Sequence, residues 1–99
     1  MPIYVVLMHH VQDHEKLDKY LTRVGDVRSP EFKVLAVDDA PEVVEGSSAP
    51  HTVVAEFPTR EDFWAFYNSP EYQEILPLRT EAAPGTLVIA KVFIPSPSD

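Results

Sequence analysis

Residues 3–10 are aliphatic, β-branched or aromatic until His9 and His10, a run that reads as a strand buried on both faces rather than an alternating one. Leu17, Tyr20, Leu21 and Val24 then recur at the i, i+3, i+4, i+7 spacing of a helix with one apolar face. Asp13 is placed to cap that helix and Gly25 to stop it. Phe32 to Val37 reads as a second strand, Asp38-Asp39-Ala40-Pro41 as a turn, and Glu42 to Glu45 as a short extended piece. Beyond the loop Gly46-Ser47-Ser48-Ala49-Pro50, His51 to Phe57 forms a third strand, and Thr59 with Asp62 has the spacing of a capping box. The next helix carries Phe63, Trp64, Phe66 and Tyr67 and breaks at Asn68-Ser69-Pro70. There Ser69 caps a new helix whose first position suits Pro70; it runs through Tyr72, Ile75, Leu76 and Arg79, with a kink expected at Pro77. Ala82-Ala83-Pro84-Gly85 ends it, Thr86 to Ile94 reads as a last strand, and residues 95–99 as a disordered tail.

The resulting order, β-α-β-β-α-β, predicts a single α+β domain over residues 1–94: a ferredoxin-like antiparallel sheet with both helices on one face. Strands apolar on both sides need cover for the open face. A second copy of the sheet is the simplest, giving a homodimer, a dimeric α+β barrel whose two sheets enclose a cavity.

Charge narrows the partners. Eight Lys+Arg against 16 Asp+Glu leave a net charge of −8, and the basic residues are scattered, which argues against nucleic acid and anionic membranes. No apolar stretch approaches the ~18 residues of a membrane span, and no basic segment precedes the first apolar run, so neither a span nor a signal peptide is expected; the default location is cytoplasmic. The absence of Cys excludes disulfides, thiol nucleophiles and thiolate metal sites.

Val53-Val54-Ala55-Glu56-Phe57-Pro58-Thr59, then Phe66-Tyr67-Asn68-Ser69-Pro70-Glu71-Tyr72 and Leu78-Arg79, with Glu42-Val43-Val44-Glu45-Gly46 besides, resemble the family called domain of unknown function thirteen-thirty. The resemblance covers nearly the whole chain. It implies a dimeric α+β barrel related in fold to antibiotic-biosynthesis monooxygenases and muconolactone isomerases, and it implies no reaction. One departure stands out: Val37-Asp38-Asp39 occupies the place where the family usually shows Arg-Gly-Gly, so an anion-binding role there would have to pass to another residue.

Chemistry must come from His, carboxylates, Tyr or Arg. With the first and third strands read as parallel neighbours, His9 or His10 sits beside Glu56, a general acid/base pair in outline. Glu56, a carboxylate in an apolar strand, needs a partner, and Arg79 is the expected one; Tyr72 shares Arg79's helix stripe. Tyr67, Asn68 and Ser69 at the helix break, with Trp64, are candidate ligand contacts. The bland readings are a strand-end His, a Glu–Arg pair fastening the helix, simple caps and core rings. No metal is expected, although His9 or His10 with Glu56 and His14 would suffice for a divalent ion. The sequence therefore predicts a small cofactor-independent enzyme of secondary metabolism. It would act on an apolar oxygenated or aromatic small molecule by His/Glu proton transfer, as an isomerase, cyclase or monooxygenase-like catalyst. The alternative is a non-catalytic small-molecule-binding or structural dimer.

Overall fold

A computed structural model describes residues 1–27, 30–47 and 50–95. The elements are β1 (Ile3–His9), α1 (His14–Val27), β2 (Lys33–Asp38), β3 (His51–Phe57), α2 (Arg60–Tyr67), α3 (Pro70–Ala82) and β4 (Gly85–Lys91). The strands form one antiparallel sheet in the order β2-β3-β1-β4, and the helices lie on one side of it, as the ferredoxin-like reading predicts.

Local chemistry sets the boundaries. Asp13 caps α1, its Oδ1 accepting from the Lys16 N–H at 3.0 Å. Thr59 Oγ1 accepts from the Asp62 N–H at 3.1 Å and donates to Asp62 Oδ2 at 2.9 Å. Ser69 caps α3 by accepting from the Tyr72 N–H, while its hydroxyl donates to the Phe66 carbonyl, so one side chain serves both sides of the helix break. Gly25 does not stop α1, which runs on to Val27; the helix-favouring packing of that face overrides a lone glycine. Glu42 to Glu45 forms no strand: the chain there is irregular and bends through Gly46 at φ 102°. β4 ends at Lys91 rather than Ile94, because its ladder with β1 begins and ends with Ile3–His9, and Phe93 beyond it is exposed. His10 likewise leaves the ladder, donating its N–H to the Pro84 carbonyl. The tail expected over 95–99 falls, from residue 96 on, outside the described residues, as do Ser48 and Ala49 of the loop.

The expectation of parallel β1 and β3 is wrong. β1 and β2 run parallel through the α1 crossover, and β3, the antiparallel partner of β2, fills the gap between them; it must therefore oppose both. The register pairs Tyr4 with Glu56 and His9 with His51.

Alternate residues of the central strands point to the helices. Ile3 and Val5 from β1, Ala55 and Phe57 from β3, Leu17 and Tyr20 from α1, Phe63 and Phe66 from α2, and Tyr72 and Ile75 from α3 are buried together. Phe57 is completely buried, with Phe32, Phe63 and Phe66 ringed around it at centroid distances of 5.0, 5.4 and 5.9 Å. The other face of the sheet carries Tyr4, Val6, Met8, Val54, Glu56 and Val88, and among the described residues no layer covers it. Among the described residues no helix is long and apolar enough to cross a membrane.

β1 and β4 approach most closely where His9 faces Gly85: a Cβ at position 85 would strike the Met8 carbonyl oxygen and the Cα and Cβ of His9. Gly85→Ala is expected to cost about 2–3 kcal/mol in urea unfolding, since backbone must move to admit the methyl. An unchanged unfolding midpoint contradicts the close approach.

Candidate functional site

The antiparallel register places His9 and His51 side by side at one end of the sheet, both pointing to the helices. His9 Nε2 lies 2.8 Å from His51 Nδ1, and the rings are 4.8 Å apart. Three backbone hydrogen bonds fasten this end: His10 donates to the Pro84 carbonyl, and Gln12 and Asp13 both donate to that of Ala82 at the end of α3.

One proton lies between the two rings, and burial decides whose it is. His9 is 2% exposed, and its Nδ1 has no hydrogen-bond partner among the described residues. Were Nε2 the acceptor, a neutral His9 would carry its hydrogen on Nδ1, leaving a buried N–H unpaired at about 1–3 kcal/mol. The favoured tautomer therefore has His9 Nε2–H donating to His51 Nδ1, and a bare lone pair on His9 Nδ1. Burial, reinforced by His51, Arg79 and His10, lowers the His9 pKa from 6.5 to about 4, so the ring is neutral at physiological pH.

A cavity of about 330 Å³ lies between the sheet and the helices, walled largely by Val5, Leu7, Leu17, Val53, Phe57 and Phe66. It lies within one chain, on the helix side of the sheet, away from the face on which a second sheet would pack. The polar groups on its wall are His9, His51, Tyr20, Tyr67, Tyr72 and Arg79. Tyr20 and Tyr72 share a hydroxyl–hydroxyl bond of 2.8 Å, their rings edge-on at 6.2 Å. Burial and the Tyr72 neighbour push the Tyr20 phenol well up, with Arg79 pulling the other way, so the Tyr20 phenol stays protonated. The Arg79 guanidinium carbon stands 5.9 Å from the centre of the Tyr20 ring; the residue is 6% exposed, and no carboxylate among the described residues pairs with it. A second hollow shares His9, Leu17, Leu21 and His51 with the cavity and adds His10, His14, Asp18 and Asp39. It is the vestibule, and all four histidines of the chain border it.

Of the residues singled out from sequence, the cavity brings together His9, Tyr67, Tyr72 and Arg79. Glu56 is not among them. It lies at the far end of β3 on the opposite face of the sheet, beside the Tyr4 hydroxyl, whose pKa is raised by burial and by the carboxylate. The expected His–Glu and Glu56–Arg79 pairs are therefore not formed, nor is a metal set of His9 or His10, Glu56 and His14; among the described residues no group of three potential ligands is placed for a metal. His10 borders only the vestibule. Asn68 ends α2 with its N–H on helix carbonyls, Ser69 is engaged as a cap, and Trp64 is half exposed on the outside of α2, packed on Phe63 and Tyr67. Sequence reasoning missed His51 and Tyr20. Reversing one strand direction would have found the first, because β1 and β3 are the same length and end-to-end pairing sets residue 51 against residue 9.

The family described as Domain of unknown function (DUF1330) matches residues 2–93. The chain belongs to it. No curated protein matches this DUF1330 chain. Among solved structures it is similar to RPA0582, a protein of unknown function from Rhodopseudomonas palustris, at 21% identity and TM-score 0.78 over 95% of this chain and 84% of that one. A dimeric ferredoxin-like protein of unknown function from Thermobifida fusca aligns at 17% identity and TM-score 0.66 over 93% and 92% of the two chains. The hydroxynitrile lyase of Passiflora edulis aligns at 16% identity and TM-score 0.73 over 97% of each. At such identities these likenesses speak to fold alone.

Two outcomes follow from the geometry. Followed by NMR, the His9 ring should stay neutral until about pH 4, while folding stability falls as pH drops from 6.5 to about 4, because over that window the unfolded chain binds a proton that the native ring refuses. A His9 midpoint near 6.5 contradicts its burial. A Glu56→Gln, Arg79→Met double-mutant cycle should be additive within about 0.5 kcal/mol, as for sites that share no partner; coupling above that would restore the pair.

Proposed function

We propose that this DUF1330 protein is a cofactor-independent enzyme that moves a proton on an apolar, oxygenated small molecule bound in the helix-side cavity. We also propose that it works as a homodimer joined through the open sheet face. The observation that carries the first reading is the desolvated, neutral His9 with its unpartnered Nδ1, hydrogen-bonded through Nε2 to His51.

A base with a pKa near 4 is always unprotonated at neutral pH but holds a proton weakly, so a second acceptor is needed to draw the proton on. His51 supplies it. With a side-chain shift that brings His9 Nδ1, shielded from solvent in this structure, onto the cavity wall, His9 takes a proton from substrate carbon while its Nε2 proton passes to His51 Nδ1, and His51 releases its own Nε2 proton toward the vestibule. The electron pair left on carbon delocalises onto the substrate oxygen as an enolate, which the nearby guanidinium and phenols stabilise in a low-dielectric site. The same relay run backwards protonates a different atom of the substrate, giving a net isomerisation without oxidant or cofactor. The His/Glu pair expected from sequence is thus replaced by a His/His pair. A lyase on the same fold supports the reading that the architecture hosts catalysis.

Dimerisation is supported by the bare apolar face, on which Met8 and Val88 are each more than two fifths exposed, and by the dimeric relative from Thermobifida fusca. Sedimentation at micromolar concentration should give twice the 11.2 kDa chain mass, and Val88→Asp should yield monomer; a wild-type monomer would remove the dimer from the proposal.

Catalysis is tested with 2-tetralone in D2O. The protein should accelerate loss of the α-proton signal, and His9→Gln should slow it by about 10²–10⁴-fold, the usual worth of a positioned base. Equal exchange by wild type and variant would sink the mechanism.

A further inference from the structure

We infer that the cavity is built for a ligand that carries a single oxyanion on a flat apolar body, and that Arg79 is the residue that receives the anion. This rests on the reading that the helix-side cavity is the functional site.

The chain has 16 carboxylates, twice its basic residues, and three of those carboxylates, Glu71, Glu74 and Glu81, lie on the same helix as Arg79. Glu74 and Glu81 turn outward to pair with Arg23 and Lys16 on α1, at 3.6 and 2.9 Å, where solvent makes such pairs worth little. Among the described residues Arg79 is the one charge that is buried, and it is left without a carboxylate. An isolated buried charge costs far more than a surface one, and a neutral side chain of similar length would fill the space more cheaply. The Tyr20 hydroxyl and ring offset part of that cost, and an anion arriving from outside would offset the rest.

The neighbours suit that anion. His9 is neutral and brings no competing charge, whereas Tyr20 and Tyr72 have two hydroxyl hydrogens between them and use one in their mutual bond, leaving one O–H free to donate. A guanidinium fork beside one phenol O–H matches a single carboxylate, enolate or phenolate. Beyond this end the walls are aromatic and aliphatic, with Phe57, Phe63, Phe66 and Tyr67 presenting ring faces and edges. Asp18 and Asp39 in the vestibule, and the net charge of −8, disfavour phosphate dianions and polyanions.

The test is a calorimetric titration at pH 7 with four probes sharing one bicyclic body: 2-naphthoate, 2-naphthylmethanol, 2-naphthyl phosphate and 2-naphthylmethylammonium. The carboxylate should bind about 10- to 100-fold more tightly than the alcohol, the range of one charge-assisted hydrogen-bonded contact. Phosphate and ammonium should bind more weakly than the carboxylate. Arg79→Met should erase the preference for carboxylate over alcohol while leaving alcohol binding unchanged, and its urea midpoint without ligand should equal or exceed that of wild type. Equal binding of carboxylate and alcohol to wild type overturns the inference, and needs no variant. So does an Arg79→Met chain that loses stability and alcohol binding together, because the arginine is then a structural pin. Anion binding without 2-tetralone exchange would leave the inference standing and remove the proposed reaction; exchange without anion preference would do the reverse.

Discussion

The antiparallel pairing of β1 with β3 is the constraint on which the molecule depends. β1 is central, with β3 on one side and β4 on the other, so its seven residues fix the register of both neighbours. A strand reversed, or slipped by one residue, would turn a whole row of side chains to the other face. The observed register puts Val5, Leu7 and His9 on the helix side, sets His51 opposite His9, and sends Glu56 to the far end of the sheet. Core, cavity and imidazole pair are consequences of that one alignment.

Local elements were legible in the sequence wherever local chemistry decides them. The caps at Asp13, Thr59 and Ser69 and the proline at the start of α3 rest on interactions within four residues, and all are found. The site was legible only in part. His9, Tyr72 and Arg79 were noticed as residue types out of place in apolar surroundings, which is a property of sequence. Their partners were not, because partnership across the sheet depends on strand direction, a property of topology. Glu56 drew attention for the same reason as Arg79, yet one residue of strand alternation separates a cavity wall from an open face. Gly25 shows the opposite limit: a residue with a strong local preference yields when the helix around it is held by packing.

The distribution of charge repeats that division of labour. The described ion pairs lie on the outer surface between α1 and α3, where they are screened and replaceable. The one cation buried among the described residues is kept apart from them, among phenols and a neutral imidazole. A fold selected for stability alone would place these the other way round, and proteins commonly give up stability where a site must stay poised.

One end of the sheet is fastened to the helices by main chain rather than by side chains. The strap formed by residues 10–13 on the carbonyls of Ala82 and Pro84 joins the end of β1, the cap of α1 and the last turn of α3 at one point. Loosening that strap would therefore fray two helix ends at once. Such an opening is a local unfolding event, which the amide protection of Gln12 and Asp13 would report. Because the strap is built from backbone, substitutions in the cavity walls leave it in place.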